Sequence, residues 1–149
     1  GVYPSPETKK TVVVEPALQW CSEVGFVKQI EAGTPVSYGA RWHAKERTTV
    51  VTLPVGYADG YSRYFTNNAE VLIRGQRFPV AGTVCMDQTV VDMKTAAVGT
   101  VYNGDIAVLI GRDGEHVITA EDLAKWAGTI GYEILTSISA RVPRVYVEH

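Results

Sequence analysis

The chain has 149 residues, 46% of them hydrophobic and 20% charged, with a formal net charge of −2, which fits one globular domain large enough to bury a core. So small a negative charge offers no basic field to a phosphate backbone or an anionic lipid surface, and no apolar run approaches the roughly 20 residues of a membrane span. Nucleic acid and membrane are therefore not expected partners, and the lack of a charged-then-apolar amino end points to a soluble, cytoplasmic protein.

The first ten residues, GVYPSPETKK, are polar and proline-rich. Residues 1–16 are expected to be a linker from an upstream domain, with the folded domain over 17–149. Residues 17 to 31 alternate well enough for one long strand carrying Trp20, Val24, Phe26 and Ile30 on one face. Gly33 and Pro35 then turn the chain into Ser37-Tyr38-Gly39, and the β-branched run RTTVVTL leads as a strand to Gly56-Tyr57-Ala58-Asp59-Gly60. YSRYFTNN reads as a loop, and AEVLIRGQRFPVAG as a hairpin around Arg74-Gly75-Gln76-Arg77. After the turn Gly82-Thr83-Val84-Cys85-Met86-Asp87-Gln88 comes a strand, TVVDM. The turn-rich connection Val98 to Asp105 feeds the buried strand IAVLI, and GRDGEH returns the chain to VITA.

Thr119 with Asp122 three positions on forms a capping box before a helix near 120 to 127, ended by Gly128. GYEILTSIS is a candidate second short helix, and RVPRVYV a final strand whose Pro143 suits a sheet edge. Together these predict a mainly β fold, a closed antiparallel Greek-key-like barrel with one or two short helices near the C-terminus.

Tyr38 and Tyr57 each sit among small residues at the ends of one strand, where glycine lets the backbone turn sharply and approach a ligand. Either alone would ordinarily be a half-buried tyrosine with a wet hydroxyl. Cys21 and Cys85 are far apart in a chain with ample core, so free thiols in a reducing compartment are expected. His43, His116 and His149 lack metal-ligand spacing, and no metal is expected.

SYGA, VGYADG and CMDQ, in that order and spacing, resemble the C-terminal domain of alanine racemase, a fold-type III pyridoxal-phosphate (PLP) enzyme, and the likeness runs from GVYPS to ISARVPRVY. The resemblance implies a homodimer, head to tail, in which each C-terminal domain completes the partner subunit's site for interconverting L- and D-alanine, with a role in D-alanine supply for cell-wall peptidoglycan. Racemisation needs a base on one face of the substrate Cα, an acid on the other, and an electron sink, which PLP supplies. By resemblance Tyr38 is one proton carrier and a PLP-bound lysine on the upstream (β/α)8 barrel is the other. None of Lys9, Lys10, Lys28, Lys45, Lys94 and Lys125 lies in the family's AVVKANAYGHG-like setting, so the isolated chain is expected to be inactive and to hold no cofactor. A phenol with an ordinary pKa near ~10 is a poor base at neutral pH, and its expected helpers, a His and an Arg, belong to that barrel.

Tyr57 and Arg63 match positions lining the substrate entrance, with a solvated Tyr and a surface Arg as the plain alternatives. Met86 and Asp87 match residues facing the partner's cofactor, the Met86 backbone being expected to hold the substrate carboxylate. Ala140 stands where the family commonly has a Tyr near the phosphate and substrate, which leaves the size of the pocket open. Three alternatives remain: a serine or broad-specificity racemase, a fold-type III PLP decarboxylase, in which a functional Cys lies in a GPTCD-like turn, and a non-catalytic dimerisation or binding barrel.

Overall fold

The residues 17 to 31 form two strands rather than one. β1 (Trp20–Glu23) and β2 (Phe26–Ile30) belong to different sheets in the computed structural model, which describes residues 1–3, 9, 11–94 and 99–147. Residues 4–8 and Lys10 of the expected linker, Val98 of the turn-rich connection, and His149 lie outside the described residues. Between the strands, the Val24 amide donates to Asp105 O and the Gly25 amide to Thr52 O, so the ladder changes partner at this step. The alternation breaks with it: Trp20, Val24 and Ile30 are buried, but Phe26 is exposed.

The short strands β3 (Pro35–Val36) and β4 (Trp42–His43) pair around the Tyr38 signature. β5 (Thr48–Leu53) follows, its β-branched residues filling both faces because both are covered. Val51 and Leu53 join the main core, while Val50 packs with Ile30 and Ala44 in a smaller cluster. β6 (Glu70–Ile73) and β7 (Gln76–Pro79) form the expected hairpin, with Ile73 opposite Gln76 and a two-residue turn at Arg74 (φ 52°) and Gly75 (φ 72°). β8 (Thr89–Asp92), β9 (Ile106–Asp113) and β10 (His116–Ile118) complete the sheets.

One sheet has the order β1-β9-β6-β7, with β10 also paired to β9; the second is β2-β5-β8; all pairings are antiparallel. The expected closed barrel is not formed. The sheets are open, and among the described residues β7 and β8 meet through a single bridge, Val80 to Val91, instead of a ladder. The mainly β character and the two late helices stand.

α1 (Ala120–Ala127) begins with the expected capping box: Thr119 Oγ1 accepts from the Asp122 amide at 3.1 Å, and Asp122 Oδ2 accepts from the Thr119 amide at 2.8 Å. Gly128 at φ 71° ends it. α2 (Gly131–Ser137) follows, packs against α1, and the two add Leu123, Ala124 and Ile134 to the main core. The expected final strand in RVPRVYV does not form. Arg144 instead turns its guanidinium onto Ile138 O, Ser139 O and Val142 O, folding the segment against the end of α2.

The segment YSRYFTNN is only partly the polar loop expected. Tyr61 and Phe65 are fully buried, Tyr61 just before a short 3₁₀ turn, Arg63–Phe65, and Phe65 as its last residue. Tyr61 packs edge-on to Trp20, with ring centroids 5.9 Å apart, and lies 4.6 Å from the Phe65 ring. Among the described residues its hydroxyl has no hydrogen-bond partner, and burial pushes the phenol well above its usual pKa. An unpaired buried hydroxyl of this kind costs about 1–3 kcal/mol, which the ring packing must offset.

Candidate active site

Five of the sequence-predicted residues, Tyr38, Tyr57, Arg63, Met86 and Asp87, line one open cleft of about 650 Å³, together with Thr83, Val84, Cys85 and Gln88. Ala140 is not among its walls and is exposed. β5 is the reason the first two meet. Its upstream end connects through β4 to Tyr38, its downstream end runs into Gly56, and β8, beside it, is entered from the Gly82–Gln88 turn.

The Tyr38 loop is fixed to that turn by hydroxyls. Ser37 Oγ donates to Thr83 O at 2.5 Å and lies 3.4 Å from Cys85 Sγ, while Thr83 Oγ1 donates to Tyr38 O at 2.9 Å. The far side of the turn is held by the double-Asn segment, since the Gly82 amide donates to Asn67 Oδ1 at 2.6 Å and the Val84 amide to Thr66 Oγ1 at 3.1 Å. Sequence reading gave Thr66, Asn67 and Thr83 no role, because their partners lie 15 to 45 positions away.

GYADG is docked by its backbone. The Tyr57 and Ala58 amides donate to Cys85 O and Met86 O, each at 3.0 Å, and Asp59 Oδ2 accepts from the Gly56 amide at 2.9 Å. A Cβ at Gly56 would overlap the Cys85 and Met86 carbonyls, so only glycine allows this approach.

The side chains that reach the cleft are open to solvent: Tyr38 is 79% exposed, Tyr57 45% and Met86 52%. Among the described residues the Tyr38, Tyr57 and Arg63 side chains and the Met86 amide make no hydrogen bond or ion pair. Asp87 is different. Its Oδ1 accepts from Arg141 Nη2 at 2.6 Å, and Arg141 Nε also lies 3.3 Å from Asp59 Oδ1. The Asp87 hydrogen bond, with Asp59 nearby, holds the Arg141 guanidinium further into its charged form.

Among the described residues no lysine lines this cleft, and Arg63 is its only cationic wall residue. The residues present do not fit a PLP group, which needs a lysine and a phosphate cradle. What the cleft presents is two phenols, one free guanidinium and one free backbone amide, a set suited to hydrogen-bonding a small anionic substrate and to carrying a proton. A second cleft of about 460 Å³, between β9, β10 and the helices, is lined largely by apolar groups such as Leu18, Ile110 and Leu135. Among the described residues no group of three His, Cys, Asp or Glu is placed to hold a metal, and no helix is long and apolar enough to cross a membrane.

The family model "Alanine racemase, C-terminal domain" matches residues 17–146. The chain belongs to the alanine racemase C-terminal domain family. It is 47% identical to the alanine racemase of Geobacter sulfurreducens over 148 residues, which is 99% of this chain and 38% of that protein. It is 50% identical to the alanine racemase of Symbiobacterium thermophilum over 146 residues, 98% of this chain and again 38% of the relative. The crystal structure of the alanine racemase of Bacillus anthracis with bound L-Ala-P is similar with a TM-score of 0.92 at 37% identity, over 99% of this chain and 38% of that one. The chain thus spans little more than a third of the relatives it matches, and this alanine racemase C-terminal domain carries its cleft on a face with several unpartnered polar groups.

Proposed function

We propose that the full-length protein interconverts L- and D-alanine as a PLP-dependent racemase, and that this domain supplies the substrate-facing half of the site to a partner subunit. The observation that carries this is the gathering on one open cleft of the Tyr38, Tyr57 and Arg63 side chains and the Met86 amide, none of which is hydrogen-bonded among the described residues.

In this reading the Tyr38 phenol carries the proton on one face of the substrate Cα, giving it up and taking it back as the stereocentre inverts. Its backbone is immobilised by Thr83 through the bond to Tyr38 O, so the phenol swings from a fixed base. The free Met86 amide takes the substrate carboxylate, and Tyr57 and Arg63 line the approach. PLP belongs to the part of the protein outside this chain, as does the lysine that carries the second proton. Two copies associate head to tail, and the product serves cell-wall synthesis in the cytoplasm.

Shared sites predict complementation. A full-length Tyr38→Phe variant and a variant lacking the barrel-domain lysine should each be nearly inactive. Mixed under conditions that exchange subunits, they should recover about a quarter of wild-type activity, since half the dimers are then hybrids and each hybrid has one intact site. No recovery, with hybrid formation verified by native mass spectrometry, would mean that Tyr38 serves its own subunit.

A further inference from the structure

We infer that Arg141 is a positioning residue for this cleft, its one guanidinium clamping Asp59 and Asp87 so that the Met86 amide and Tyr57 are held in a fixed relation. The geometry is a closed circuit. Asp59 Oδ2 takes the Gly56 amide at 2.9 Å, the next two amides reach Cys85 O and Met86 O at 3.0 Å, Asp87 follows in the same turn, and Arg141 returns from Asp87 (2.6 Å) to Asp59 (3.3 Å). The two turns that carry Tyr57 and Met86 are therefore joined twice, once through backbone and once through charge.

The residue type matters. A planar guanidinium presents Nε and Nη2 on one edge and spans two carboxylates, whereas an ammonium is a point charge that serves one well. Without a cation Asp59 and Asp87 would face each other's charge, and Asp59, whose side chain is only 12% exposed, already has one oxygen committed to Gly56. Asp87 is the freer of the two, so the turn from Cys85 to Gln88 is the one expected to loosen, and Met86 sits in its middle.

The segment bearing Arg141 is itself anchored. The Ser139 amide donates to Asp59 O at 3.0 Å, the Arg141 amide to Ser139 Oγ at 3.2 Å, and Arg144 binds three carbonyls from Ile138 to Val142. Of the two arginines in RVPR, one secures the segment and the other the cleft.

The test uses the full-length protein with Arg141→Gln, Arg141→Lys, Asp87→Asn and the double change Arg141→Gln with Asp87→Asn. Amide hydrogen exchange, which needs no activity, should show about tenfold faster exchange in peptides covering 56–60 and 84–88 for Arg141→Gln, with β5 and β9 still protected. The kinetic arm rests on the racemase reading: KM for alanine should rise about tenfold with kcat within about twofold, as expected when one charge-assisted bond that orients the binding group is lost. Lysine should recover part of both effects, and the double change should be no worse than Arg141→Gln alone. Unchanged exchange at 56–60 and 84–88, protection lost throughout the domain, or fully additive effects of the two changes would each overturn the inference. If the wild-type protein fails to racemise alanine, the racemase reading falls while the exchange data still judge Arg141.

Discussion

Gly60 shows how much of this site depends on single residues. It sits at φ 101°, and a Cβ there would overlap the Ser137 carbonyl and come 2.8 Å from Ile138 Cα, both backbone atoms that cannot step aside. Gly60→Ala should therefore destabilise the domain by about 2–4 kcal/mol and displace the start of the ISARVPR segment, because left-handed strain of about 1–2 kcal/mol adds to a clash. Gly33 is the matched control: its φ is 82° but nothing lies within 4 Å of its Cβ position. Gly33→Ala should cost about 1 kcal/mol, strain alone. Equal losses in urea unfolding would mean that the contact with α2 is unimportant. The sequence marks both glycines as turn residues, but the difference between them lies in a neighbour 77 positions away and is invisible to local pattern.

Among the elements, the well-read ones are those set by local chemistry. The α1 capping box and the hairpin are specified within four residues and both form where expected, although the hairpin turn is Arg74-Gly75 alone, with Gln76 and Arg77 already in β7. The misread ones depend on distant partners. Residues 17 to 31 keep a strand-like alternation through Val24-Gly25, yet the ladder partner changes from β9 to β5 there, and no local signal marks a change of sheet. Tyr61 and Phe65 sit in a stretch whose Ser, Arg and Asn suggest a loop, and only the packing of Tyr61 on Trp20 and of Phe65 on Tyr61 reveals them as core. The hairpin also carries a titratable tie: Arg74 Nε and Nη2 meet Asp105 Oδ2 and Oδ1 at 2.8 and 2.9 Å, which lowers the Asp105 pKa from its ordinary 3.8, helped by the Tyr102 amide. A carboxylate whose folded pKa is depressed adds stability above its unfolded value and loses it as pH falls towards the folded one. Arg74→Met should thus lower the urea midpoint at pH 7, and the gap from wild type should narrow below about pH 3.8. A gap that is constant with pH would show that Arg74 acts through its guanidinium over the Tyr102 ring, 5.3 Å from the ring centroid, and not through the Asp105 carboxylate.

At the scale of the molecule, the domain is a scaffold that brings three loops to one face. The residues that line its cleft were legible because SYGA, GYADG and CMDQ are short and contiguous, so they could be named before their geometry was known. The supports were not legible: Thr83 beneath Tyr38 and Arg141 between two carboxylates act across 45 to 82 positions, and a motif match says nothing of such partners. The same limit applies to Ala140, which lies outside the cleft walls while its neighbour Arg141 reaches Asp87. The central claim is that the phenol of Tyr38 handles the proton on one face of the substrate. The most direct measurement is exchange of the alanine Cα hydrogen with solvent deuterium, started from each enantiomer, in full-length wild type and Tyr38→Phe. Loss of the phenol should slow racemisation by a factor of about 10² to 10⁴ and suppress Cα exchange for one enantiomer far more than for the other, with the fold unchanged. Equal suppression for both enantiomers, or wild-type exchange in the variant, would contradict it.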